Sequence, residues 1–99
     1  MKILALEKDI QPIPDGLRES ILKDEAQAVW QLQQRGVIRE LYFHRDRPQA
    51  ILMLESTDLE DARTILGSLP LVKGNYTAFE LLPLAPYPGF ARLFDTGSR

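Results

Sequence analysis

The stretch VIRELYFHRDRPQAILMLE, residues 37–55, decides the fold. Its first half, Val37 to Arg45, is rich in β-branched and aromatic residues and reads as a strand. Asp46-Arg47-Pro48 makes a turn, and Gln49 to Glu55 returns as the next strand. That strand runs Ile51, Leu52, Met53, Leu54, apolar at both parities, so both of its faces are expected to be buried. The flanking sequence supplies two amphipathic helices as cover. Upstream, Leu17, Ile21, Leu22, Ala28, Val29 and Leu32 fall on one arc of a helix running from about Leu17 to Gln34. Asp15 is placed to cap its start, and Gly36 to end it in a left-handed conformation. Downstream, Thr57 with Glu60 three residues later forms a capping box. It opens a helix in which Leu59, Ala62, Leu66 and Leu69 repeat at helical spacing, and Pro70 and Gly74 bound the connection that follows.

Lys2 to Leu6 and Tyr76 to Leu82 add a first and a last strand, and residues 8–16 connect the first strand to the first helix. The order is β-α-β-β-α-β. This is the ferredoxin-like α+β arrangement, a four-stranded antiparallel sheet with both helices on one face. Residues 1–83 form that body, and residues 84–99 a C-terminal tail that packs on its own or a partner subunit. In the tail, Phe90, Leu93 and Phe94 recur at the spacing of one apolar helical turn, and Thr96 to Arg99 are expected to fray.

Ninety-nine residues hold one domain. Lys and Arg total 12 and Asp and Glu 14, a net charge of −2, so the basic stripe of a nucleic-acid or membrane-surface binder is missing. With no cysteine and one histidine, thiolate chemistry, disulfides and a multi-histidine metal site are excluded. No Gly-x-Gly-x-x-Gly, Walker or Gly-x-Ser-x-Gly pattern occurs, so no nucleotide cofactor and no hydrolase of that type is expected. The apolar run Ile3 to Leu6 is too short for a signal peptide or a span of about 20 residues, and a cytoplasmic protein is expected.

The first and third strands belong at the centre of the sheet, and both are apolar on both faces. Two helices cover only one face. The other face would be wet unless a second copy shields it, so a homodimer through sheet faces is expected, with roughly 800 Å² buried per partner. Trp30 falls away from the core arc, either as an interface residue or as the margin of the core.

The second strand is the richest in polar residues. Alternation puts Glu40, Tyr42 and His44 on one face and Arg39, Leu41, Phe43 and Arg45 on the other. Glu40 or His44 then suits a general base, and Tyr42 a donor to a developing oxyanion. Arg39 suits a substrate carboxylate if it reaches round from its own face. Glu80 on the last strand is a further carboxylate that alternation directs to the same cavity. The bland reading of these residues is an exposed His44 beside a turn and a Glu40 that blocks edge pairing.

Two blocks of the sequence resemble the muconolactone isomerase-like proteins. They are Trp30-Gln31-Leu32-Gln33-Gln34-Arg35-Gly36-Val37-Ile38-Arg39-Glu40-Leu41-Tyr42 and Ser68-Leu69-Pro70-Leu71 before an aromatic-containing last strand. The organisation is similar over roughly residues 1–85. The resemblance implies a dimeric α+β barrel, often assembled into higher oligomers, and a cofactor-free proton transfer that moves a double bond within a lactone. It also brings departures. The isomerases carry a histidine in the first strand, where this chain has Lys2-Ile3-Leu4-Ala5-Leu6, and another after the arginine, where it has Glu40. Two function classes stay open: an isomerase-like enzyme on a small lactone or organic acid, and a non-catalytic dimeric module that binds a small ligand or a partner.

Overall fold

The structure, a computed structural model, describes residues 1–94. The expected fraying of Thr96 to Arg99 lies outside the described residues. The elements run β1 (Lys2–Asp9), α1 (Asp15–Gln34), β2 (Ile38–Phe43), β3 (Ala50–Glu55), α2 (Leu59–Gly67), α3 (Pro70–Lys73) and β4 (Thr77–Pro83), followed by a 3₁₀ turn at Gly89–Leu93. The sheet is antiparallel with strand order β2-β3-β1-β4, so the two doubly apolar strands are central. This is the ferredoxin-like α+β fold. No helix among the described residues is long and apolar enough to cross a membrane.

The register assigns each side chain to a face. Ile3 faces Leu54 and Ala5 faces Leu52, and all four are buried beneath the helices. Leu32 of α1, Ala62 and Leu66 of α2, Leu69 and Ile38 complete that core. The interleaved residues point the other way. Leu4 pairs with Met53 and with Leu82, and Leu6 with Ile51 and with Glu80. These residues form the open face.

β2 departs from simple alternation. A bulge at Arg39 shifts its register between Ile38 and Glu40. In unbroken alternation Ile38 and Glu40 would share a face. With the bulge, Ile38 enters the core at 1% exposure while Glu40 aligns with Met53 on the open face.

The helix starts also differ from expectation. Pro14, not Asp15, is the capping residue of α1, and no side chain caps it; proline's fixed φ and absent N–H suit the entry to a helix. At α2, Asp58 takes the place expected for Thr57. Its carboxylate accepts from the Asp61 N–H (2.7 Å), and the Asp61 carboxylate accepts from the Thr57 N–H (3.3 Å). The cap is displaced by one residue, and unlike in a capping box the return bond goes to the residue before the cap rather than to the cap itself. Gly36 does take positive φ (+79°) after α1.

The expected connection after Pro70 contains the one-turn α3, whose start is held from across the molecule. The Leu71 N–H donates to Glu25 Oε1 of α1 (2.9 Å). Burial pushes the Glu25 carboxyl above the usual range and nearby Glu7 adds to this; the bond from Leu71 opposes it and loses. A carboxyl with a raised folded pKa binds its proton more readily folded than unfolded. Its contribution is therefore most favourable below the ordinary carboxylate range and declines as pH rises through the raised value. Glu25→Gln keeps an acceptor for Leu71 and removes the charge. The variant is expected to unfold at higher urea than the parent at about pH 7, with the gain vanishing towards about pH 4. An equal loss at both pH values would show that packing, not charge, governs this position.

Candidate functional site

The open face is a lattice read directly from the pairing. One row runs Glu40, Met53, Leu4, Leu82, and the next Tyr42, Ile51, Leu6, Glu80. In these two rows the middle is aliphatic and the polar groups stand at the edges, while Lys2 opposite Glu55, and Lys8, bring charge to the ends of the central strands.

Glu40 and Tyr42 are brought together. The Tyr42 hydroxyl donates to Glu40 Oε1 at 3.0 Å, which alternate positions on one strand face permit. That bond, and the charge of the carboxylate it meets, raise the phenol pKa above its ordinary value. Both groups are exposed on the single subunit, Tyr42 by 60%.

His44 lies just past β2, and its backbone N–H donates to the Gln49 carbonyl (2.7 Å) in the hairpin turn. Its Nδ1 accepts from the Asp46 N–H (3.0 Å). With that lone pair engaged, the neutral ring carries its proton on Nε2 and offers a donor. Arg39, the bulge residue, folds back so that its Nε donates to the Gly36 carbonyl (2.6 Å). It also lies close enough to Glu55 to help hold that carboxyl below its usual range, after the larger effect of the bond from the chain's amino terminus. Glu80 shares the open face but stands on the opposite edge strand. Three strand spacings, about 14 Å, separate it from Tyr42 within one subunit.

Two shallow clefts indent the body. One of about 180 Å³ lies between α2, α3 and β4, lined by Arg63, Leu66, Val72, Phe79 and Leu81. The other, of about 210 Å³, is lined by Glu7, Asp9, Arg47, Pro48 and Gln49. Both are below the roughly 300–1,000 Å³ typical of ligand pockets, and neither includes Glu40, Tyr42 or His44. The half-buried carboxylates Glu7 and Glu25 on the helix side were not singled out by spacing. Their partners, the Ala50 and Leu71 N–H groups, lie more than forty residues away in sequence.

No protein-family model matches the chain, and no curated protein matches it. Solved structures do. Muconolactone isomerase superposes with a TM-score of 0.77 at 20% identity, covering 89% of this chain and 92% of that one. A 5-chloro-2-hydroxyhydroquinone dehydrochlorinase from Burkholderia phenoliruptrix AC1100, solved with 2,5-dihydroxybenzoquinone, superposes with a TM-score of 0.61 at 14% identity, covering 86% and 94%. The chain has a muconolactone isomerase-like fold.

Proposed function

We propose that this protein is a cofactor-free proton-transfer catalyst for a small lactone or organic acid, working as a homodimer whose open sheet faces wall a shared chamber. The observation that carries the reading is the Tyr42–Glu40 hydrogen bond beside the aliphatic stretch formed by Leu4, Leu6, Ile51, Met53 and Leu82. A carboxylate and a phenol in contact form an acid–base device, and aliphatic walls strengthen it once water is excluded. The similar structures support the substrate class, since one is named for a lactone isomerase and the other was solved with a small oxygenated ring.

In this reading Glu40 removes a proton from the carbon next to the substrate carbonyl. The electron pair shifts into the conjugated system, Tyr42 turns its hydroxyl to the developing oxyanion, and the proton returns at a different carbon. His44 Nε2–H is a second donor. Arg39 leaves the Gly36 carbonyl to take a substrate carboxylate, which forms a stronger, charge-assisted bond. A two-fold axis along the strands brings the β4 edge of one copy, with Glu80, beside the β2 edge of the other, with Glu40 and Tyr42. Glu80 then joins the site across the subunit boundary.

The test is solvent deuterium incorporation into unsaturated five-membered lactones bearing a carboxylate, followed by NMR. The parent protein is expected to exchange them, and Glu40→Gln to slow exchange about 100-fold. Tyr42→Phe should lower turnover with a smaller effect on substrate binding. Exchange that is absent in the parent, or unchanged in Glu40→Gln, would leave the non-catalytic binding module as the better account.

A further inference from the structure

Lys8 lies on β1, a central strand, and faces Ala78 of β4. Alternation from Leu4 and Leu6 puts its side chain on the open face, one row beyond Tyr42, Ile51, Leu6 and Glu80. The sheet does not end there, because Asp9 still pairs with Thr77. Three other charged groups near this face are met. Lys2 faces Glu55, Glu40 accepts from the Tyr42 hydroxyl, and Arg39 Nε donates to the Gly36 carbonyl. Lys8 is not: none of the ion pairs among the described residues includes it. Glu80 stands diagonally across the β1–β4 pair, within reach of a long side chain, yet the two do not pair. On a lone subunit nothing is lost, since Lys8 is exposed and its ammonium is in water.

We propose that Lys8 makes closure of the dimer depend on a bound anion: its ammonium opposes an empty chamber, and a small-molecule carboxylate inside the chamber removes that opposition. The inference rests on the face-to-face dimer proposed above and adds the charge that its ligand must carry. Such a dimer has no room to leave Lys8 outside. Four strands about 4.8 Å apart and about 20 Å long present roughly 400 Å² in projection. A partner that buries about 800 Å² of accessible surface on that area has to cover the whole face. Covering it takes the ammonium out of water, which is unfavourable unless an opposite charge comes with it. The two-fold axis repeats the residue, so two ammoniums share the chamber. With that axis along the strands, β1 lies over β3 of the second copy. Lys8 then stands beside that copy's Tyr42 and His44, on the far side of Tyr42 from Glu40. A carboxylate held there leaves the rest of a small acid lying towards Glu40. Arg39 differs, because its guanidinium keeps the Gly36 carbonyl when the chamber is empty. An anion that binds the closed dimer and not the single chain tightens the dimer by mass action.

The test compares dimer dissociation constants by sedimentation equilibrium at constant ionic strength. The probes are 2-furoate, an ionised acid on an unsaturated five-membered ring, and 2-furamide, its uncharged counterpart. Lys8→Met keeps the length of the side chain and loses the charge. Without a probe its dimer is expected to be about 10-fold tighter than the parent's, because an apolar group of similar size replaces an unpaired charge. In the parent, 2-furoate should tighten the dimer by about 10-fold or more while 2-furamide does not. Lys8→Met should respond to 2-furoate no more than to 2-furamide, and Lys8→Arg should recover the difference. A Lys8→Met dimer no tighter than the parent's overturns the proposal and gives Lys8 a carboxylate of the second copy as its partner. A parent dimer that 2-furoate leaves unmoved, or that 2-furamide tightens equally, overturns it too. Parent protein that sediments as single chains with and without 2-furoate removes the dimer and this inference together, whereas any of the other contrary results removes the inference alone.

Discussion

Met53→Lys is expected to break the proposed face-to-face dimer into single 11.3 kDa particles at micromolar concentration while leaving the fold intact. Met53 sits on a central strand with its side chain on the open face, between Leu4 of β1 and Glu40 of β2. On a lone subunit that position is half-buried, and a lysine stem can lie along the aliphatic surface with its ammonium in water. Between two sheets there is no water for the ammonium. In a two-fold interface the central substitution is also repeated close to itself, so an unpaired charge and a like-charge repulsion coincide. The dimer dissociation constant should rise by about 10³-fold or more, equivalent to about 4 kcal/mol. Sedimentation equilibrium measures it, and an unchanged thermal melt at low concentration shows that the subunit still folds. If Met53→Lys stays dimeric, the open face is not the interface, and the chamber proposed around Glu40 and Tyr42 loses its second wall.

How far the sequence reaches is best seen along β2. Its existence, its hairpin with β3 and the central place of β1 and β3 follow from runs of apolar residues that no exposed strand would carry. The shared face of Glu40 and Tyr42 follows from alternation, and their hydrogen bond realises it. The bulge at Arg39 does not follow, because alternation counts residues and a bulge adds one that the partner strand lacks. Ile38 and Glu40 look equivalent in the sequence, yet one is core and the other is not. The tie from Glu25 to Leu71 is hidden for a different reason: local spacing holds no signal for a bond between groups forty-six residues apart. The shift of the α2 cap from Thr57 to Asp58 is a contest between neighbouring side chains of similar capping strength, which spacing alone does not decide. The tail's apolar turn was legible, and its exposure on the single chain, 66%, 73% and 81% at Phe90, Leu93 and Phe94, was not, because a pattern of apolar residues says that a segment docks without saying where.

Adjacent residues on β3 should fail in different ways. Leu52→Ala is expected to destabilise the protein by about 3 kcal/mol and lower its melting temperature by roughly 15 °C. Leu52 is 1% exposed, faces Ala5 and Leu41, and belongs to the core packed beneath the helices. Small Ala5 beside it cannot expand into the space that is lost, so most of the cavity persists. All of this packing lies inside one subunit, so the loss should not depend on protein concentration. Met53→Ala removes a side chain of similar size one position along, on the other side of the sheet. Its loss should be small for a lone subunit and grow as concentration moves the parent towards the dimer, since an interface contributes to stability by mass action. Thermal melts of both variants across a hundredfold range of concentration separate the two cases. Equal, concentration-independent losses at both positions would mean that the open face is no interface, and that its aliphatic rows stabilise the sheet of a single chain.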